Sequence, residues 1–85
     1  MGLHWSSEKS EELKLIRGLS FEEILQAELI GVTVHSSRAN QMLIFFKFND
    51  YIWVVPCVVG EEDVFLKTLF PSRKHTRLWR RGELT

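Results

Sequence analysis

Apolar positions change their spacing at Gly31. Before it they recur at helical intervals; after it they run in β-branched and aromatic stretches separated by short polar turns. Ser7 to Arg17 is polar, with Leu13 and Ile16 three residues apart and Gly18 directly after, which predicts a helix closed by a C-terminal glycine. Ser20-Phe21-Glu22-Glu23 has capping-box form, a hydroxyl at the N-cap and a carboxylate three residues on. The helix it opens is expected to bury Phe21, Ile24, Leu25 and Leu29 and to end at Gly31. A weak strand, Val32–His35, and a polar turn, Ser36–Asn40, come next. Met42–Phe48 and Tyr51–Val59 then flank Asn49-Asp50, two residues that tolerate positive φ and so suit a two-residue hairpin. A turn over Gly60–Asp63 leads to a strand, Val64–Phe70, which Pro71 stops, and Lys74–Arg81 reads as a short helix. Pro56 inside a strand argues for an edge or a bulge.

This order predicts one α+β domain over residues 1–85: two N-terminal helices, a three- to four-stranded antiparallel meander and a short basic C-terminal helix. The hairpin pairs Phe48 with Tyr51 and Phe46 with Trp53. One face then carries Met42, Ile44, Phe46, Phe48, Tyr51, Trp53, Val55 and Cys57; the other carries Leu43, Phe45, Ile52, Val54 and Val58, interrupted by Lys47. An antiparallel sheet usually leaves one face wet, yet both of these are apolar. The N-terminal helices can cover one. The other needs the C-terminal segment, a partner chain or a ligand.

Composition narrows the class. Hydrophobic residues make up 45% of the 85 and charged residues 26%, enough for a core and too apolar for disorder. A single cysteine, Cys57, excludes an internal disulfide and a multi-cysteine zinc site, and a reduced cytoplasmic compartment is expected. No run reaches the roughly 18 apolar residues of a membrane span, and no leader pattern precedes Glu8–Glu12. Met1-Gly2-Leu3-His4-Trp5-Ser6 fits the short myristoylation pattern but has no second membrane signal beside it. The net charge of zero hides an asymmetry. Residues 1–30 hold six of the eleven acids, while residues 64–82 hold six of the eleven bases and no acid. One basic end on a neutral chain points to a local anion-facing patch, against the plainer reading of a solvated helix face.

The chemistry follows the basic end. An even-length turn at 60–63 sets Phe70 beside Trp53, and residues 72–74 then emerge where Lys47 sits. Lys47, Arg73, Lys74 and Arg77 would form a compact cluster with the Ser72 hydroxyl nearby, and Lys67 would share the Lys47 face about 16 Å away. Such a set can hold a phosphodiester, with arginine forks on nonbridging oxygens and lysines as point charges. In RNA the neighbouring 2′-OH can attack once a base takes its proton and cations steady the charge growing on phosphorus oxygens, so no cofactor is needed. His75, inside the basic run, is the candidate base, its pKa lowered by neighbouring cations; a surface histidine with no role is the competing reading. His35 ends the weak strand and is a lesser candidate, and His4 falls in an expectedly loose N-terminus. Trp79 can stack on a base or dock on a partner, Arg80 and Arg81 read as solvated tail, and Cys57 reads as core.

Glu8-Lys9-Ser10-Glu11-Glu12-Leu13-Lys14 and Arg17-Gly18-Leu19-Ser20-Phe21-Glu22-Glu23 resemble the opening of BrnT-like toxins of bacterial type II toxin–antitoxin systems. Tyr51-Ile52-Trp53-Val54-Val55-Pro56 and Phe65-Leu66-Lys67-Thr68-Leu69-Phe70-Pro71-Ser72-Arg73-Lys74 are similar to their C-terminal half, in the same order. The resemblance implies a RelE/ParE-like fold, a growth-arresting ribonuclease acting on RNA, free or on the ribosome, and a cognate antitoxin. It implies that Arg73 and Lys74 contact the RNA phosphate, with Lys67 and Arg77 as further basic residues. Gly31–Gln41 is shorter than the corresponding loop, and His75 with Trp79 matches no family pattern, which leaves the base open. Related scaffolds also host non-catalytic inhibitors of protein targets such as DNA gyrase and inactive binding modules.

Overall fold

A computed structural model describes residues 2–34 and 40–84. His35 and most of the predicted turn after it lie outside the described residues. The order is β1 (Gly2–His4), α1 (Ser7–Arg17), α2 (Phe21–Ile24), β2 (Glu28–Val34), β3 (Gln41–Phe48), β4 (Tyr51–Val59), β5 (Asp63–Leu66), β6 (Phe70–Pro71) and α3 (Arg73–Arg80). Among the described residues the strands form one sheet in the order β1-β5-β4-β3-β2, with β6 also on β4. All pairings are antiparallel except β1 on β5. The expected meander is therefore only part of a mixed sheet, and the N-terminus, expected to be loose, is its edge strand.

Local chemistry explains the elements that match expectation. Ser6 caps α1 by accepting the Lys9 N–H, and Gly18 closes it at φ 86°, a left-handed conformation that suits glycine. Ser20 and Glu23 form the reciprocal capping box. Asn49 and Asp50 take φ of 52° and 62°, the type I′ geometry that matches strand twist, and the Phe48–Tyr51 and Phe46–Trp53 pairs follow.

Three expectations fail, each for a tertiary reason. The second helix does not reach Gly31: α2 stops at Ile24 and the chain is a strand from Glu28. Pairing with β3 satisfies the backbone of this stretch, whose Ile30, Val32, Thr33 and Val34 favour a pleated surface over a helix. Gly31 is not a helix stop but lies at a register shift after Leu29, as glycine in a strand often does, and Leu29 is 59% exposed, not core. Ile16 on α1 is likewise 63% exposed; Leu13 is the residue that points inward. The strand expected over Val64–Phe70 is split into β5 and β6, which sets Pro71, not Phe70, opposite Trp53. Pro56 accounts for the split. Its carbonyl accepts the Lys67 N–H (2.9 Å), so its backbone faces the gap between β5 and β6, where no ladder donor is needed. Pro56 is thus in a central strand, tolerated because its neighbour is interrupted.

Two cores result, one on each face. Leu13, Leu19, Phe21 and Ile24 from the helical region close over Ile44, Phe46, Val55, Cys57, Val64, Leu66 and Leu69. Each such side chain contributes about 1.5–3 kcal/mol by leaving water. The other face buries Phe45, Ile52 and Val54, with Ile30, Leu43, Phe70, Trp79 and Leu84 packed around them. The chain's own C-terminal segment therefore covers much of the second face. Among the described residues no helix is long and apolar enough to cross a membrane.

Candidate functional site

α3 is fixed to the sheet by a small hydrogen-bond frame. Ser72 is its N-cap and accepts the His75 N–H (3.1 Å). The Ser72 N–H donates to the Ile52 carbonyl (2.9 Å), and the Ile52 N–H donates to the Thr76 hydroxyl (2.8 Å), which itself donates to the Ser72 carbonyl (2.7 Å). Ser72 and Thr76 are both buried, so each bond satisfies a group that water cannot reach. At the far end Gly82 (φ 72°) donates to the Trp79 carbonyl and Glu83 to that of Leu78, a Schellman closure.

This frame distributes the candidate residues over two flanks. On one, Arg73 and Arg77 line a groove of about 320 Å³ with Tyr51, Thr76, Arg80 and Arg81. Arg80 also donates to the Asp50 carbonyl (3.2 Å), which ties it to the hairpin turn. Among the described residues none of these four arginines forms an ion pair, and no carboxylate lines the groove. On the other flank His75 and Trp79, one turn apart, face the sheet. The His75 ring lies 4.9 Å from that of Phe45, and its Nδ1 is 2.7 Å from the Ser72 hydroxyl. Lys47 is here, not with the arginines: its ammonium is 3.2 Å from Glu28 and 5.3 Å from the Trp79 ring centroid. Register explains it, because Lys47 pairs with Glu28 on the face that Ile52 shares, whereas Tyr51 lies one residue along β4 on the opposite face.

Lys74 is exposed in the first turn, and its charge acts on His75. The His75 pKa is indeed lowered, but burial is the larger cause and Lys74 the smaller. Lys67 is exposed, belongs to no strand and is absent from the groove lining. Burial pushes the Cys57 thiol up to about 11, which suits a core residue. Tyr51, Thr76, Arg80 and Arg81 are the groove residues that sequence reasoning missed. The i, i+4, i+7, i+8 spacing of Arg73, Arg77, Arg80 and Arg81 was the available signal for the arginines. The hairpin register, which brings Tyr51 to the start of β4, was the signal for the tyrosine.

The architecture is that of a small α+β domain with a mixed sheet held between an N-terminal helical layer and a basic C-terminal helix. Among solved structures it is similar to the crystal structure of the Brucella abortus ribonuclease toxin BrnT, with a TM-score of 0.53 and 22% identity over 85% of this chain and 96% of that chain. The chain thus has the BrnT fold, and the resemblance read in its sequence is borne out at that level. No family model and no curated protein matches the chain.

Proposed function

We propose that the chain is the toxin of a type II toxin–antitoxin pair, an endoribonuclease that cuts RNA without a metal and so halts translation. The observation that carries this reading is that the charged residues of α3 are all basic: its first turn holds Arg73 and Lys74 with no acid, and among the described residues its arginines form no ion pair. Cations at the positive end of a helix dipole repel it, and a bound phosphate relieves that conflict. Arg73, Arg77 and Lys74 hold the nonbridging oxygens as charge builds on them. The 2′-OH proton passes to water, because His75, the candidate base of the sequence, faces the sheet on the flank of α3 opposite Arg73 and Arg77. The 2′ oxygen then bonds to phosphorus and the bond to the 5′ oxygen breaks, giving a cyclic phosphate and a 5′-hydroxyl end. Lys47, engaged with Glu28 and Trp79, serves to hold α3 on the sheet.

The antitoxin's place is the free edge β2, where Leu29, Val32 and Val34 are exposed. That same apolar edge favours a second reading, a non-catalytic inhibitor that binds a protein target such as gyrase. Incubating end-labelled RNA with the purified protein in EDTA, beside the Arg73→Ala/Lys74→Ala variant, separates the two. Defined fragments with 5′-hydroxyl ends from the wild type alone support the nuclease. Intact RNA with supercoiling inhibited supports the inhibitor. Intact RNA with messenger cut only in a translation extract confines the activity to the ribosome.

A further inference from the structure

The groove beside α3 is too long for a single phosphate. From Arg73 to Arg81 the helix rises roughly 12 Å at about 1.5 Å per residue. That is the length of about three nucleotides of a stacked strand, at about 3.4 Å each. Every cation lining it is an arginine, whose planar fork takes two phosphate oxygens at once. Tyr51 is the one aromatic side chain in the lining, half-buried at the start of β4. Arg80 is steadied by the Asp50 carbonyl, so part of the ordering cost of binding is met in advance.

We propose that this groove is a track for single-stranded RNA, in which Arg80 and Arg81 bind phosphates further along the strand from the one held at Arg73 and Tyr51 stacks on a base. The proposal rests on the nuclease reading for its choice of ribose over deoxyribose. An acidic peptide would meet the charge as well, since carboxylates also take arginine forks, but a run of acidic residues offers no ring to stack on Tyr51. Arg80 and Arg81 are therefore substrate-binding residues rather than a solvated tail.

The probe is a short 2′-O-methyl oligoribonucleotide, whose blocked 2′ oxygen prevents cleavage, with binding read by fluorescence anisotropy across a salt series. Three phosphate contacts give a slope of log K against log salt of about −2, at about 0.7 per contact for a single strand. Arg80→Gln/Arg81→Gln is expected to make that slope shallower by about 1.4, while Arg80→Lys/Arg81→Lys retains it. Tyr51→Leu is expected to weaken binding about tenfold and Tyr51→Phe to leave it near wild type. Near-UV circular dichroism confirms that each variant is folded. An unchanged slope in the folded glutamine double variant overturns the track, as does displacement of the oligonucleotide by an equimolar polyglutamate peptide. The two readings fail separately. A protein that binds with this slope and never cuts the 2′-hydroxyl RNA refutes the nuclease and supports the track. One that cuts it with the same KM in the glutamine double variant supports the nuclease and refutes the track.

Discussion

The N-terminal helices and α3 place the charges of their first turns in opposite ways. α1 and α2 carry Glu8, Glu22 and Glu23 in their first turns, and α1 carries Lys14 and Arg17 in its last, the arrangement a helix dipole favours. Several of their side chains are also engaged, Lys9 with Glu12, Lys14 with Glu23, and Glu22 with Ser10 and Trp5, while among the described residues Glu8, Glu11 and Arg17 form no ion pair. α3 ends on basic residues as α1 does, but it begins on Arg73 and Lys74, and among the described residues neither of these forms an ion pair. On the proposed function, the Arg73 and Lys74 charges, in conflict with their own helix, are there for a bound phosphate. The stored conflict is small, about 0.3–1 kcal/mol per charge, so the fold tolerates it.

The sharpest way to break this contrast is to give α3 the polarity of α1. Arg73→Glu is expected to stabilise the protein by about 0.5 kcal/mol through the helix dipole. The same change is expected to lower RNA cleavage by about 10²–10³-fold, the scale of losing one donor to a growing oxyanion. Thermal unfolding and end-labelled RNA read the two effects on one sample. Stability and cleavage falling together would mean that Arg73 serves the fold.

Two buried hydroxyls test whether the regions are equally well built. Ser10, 2% exposed, accepts the Phe21 N–H (3.0 Å) and donates to Glu22; Thr76, 1% exposed, accepts the Ile52 N–H (2.8 Å). Ser10→Ala and Thr76→Val each strand a buried backbone donor, which costs about 1–3 kcal/mol. Urea unfolding is expected to show similar losses in stability at both sites. Only Thr76→Val should also reduce cleavage in the folded protein, because it loosens α3 on β4.

The same contrast marks what was legible in the sequence. Caps and turns act over a few residues, so Gly18, the Ser20 box and the Asn49-Asp50 turn could be read directly. The fate of Glu28–Val34 depended on an edge of β3 distant in sequence, and the β5–β6 break depended on which side Pro56 turned its backbone. In the site, Arg73 and Arg77 were legible as a helical pair. Tyr51 and the separation of Lys47 required the sheet's register across α3, and Arg80 and Arg81 were read as tail because their common face with Arg73 matters only once the groove exists.

A smaller effect should appear on lowering the pH around His75. Burial and Lys74 depress its folded pKa below the ordinary 6.5, so the unfolded chain binds the proton first. Stability therefore falls as pH drops below 6.5, until the folded pKa is passed. His75→Gln should flatten this part of the stability profile and leave the shape of the rate profile unchanged. NMR titration of the ring measures the shift itself.

Smallest at neutral pH, and opposite in origin, is the response of Glu22. Hydrogen bonds from Ser10 and Trp5 hold its carboxyl down to about 2 from an ordinary 4.5. Its contribution is complete above the unfolded value and is lost as pH falls through the window from 4.5 towards 2. Glu22→Gln keeps one acceptor oxygen where Ser10 and Trp5 use two, so it retains only one of these bonds and the neutral-pH urea midpoint should fall slightly. Below pH 4.5 the wild-type midpoint should decline faster than that of the variant. Parallel profiles would mean that the exposed carboxylate is satisfied equally by water, and that the N-terminal region is held by its core and caps alone.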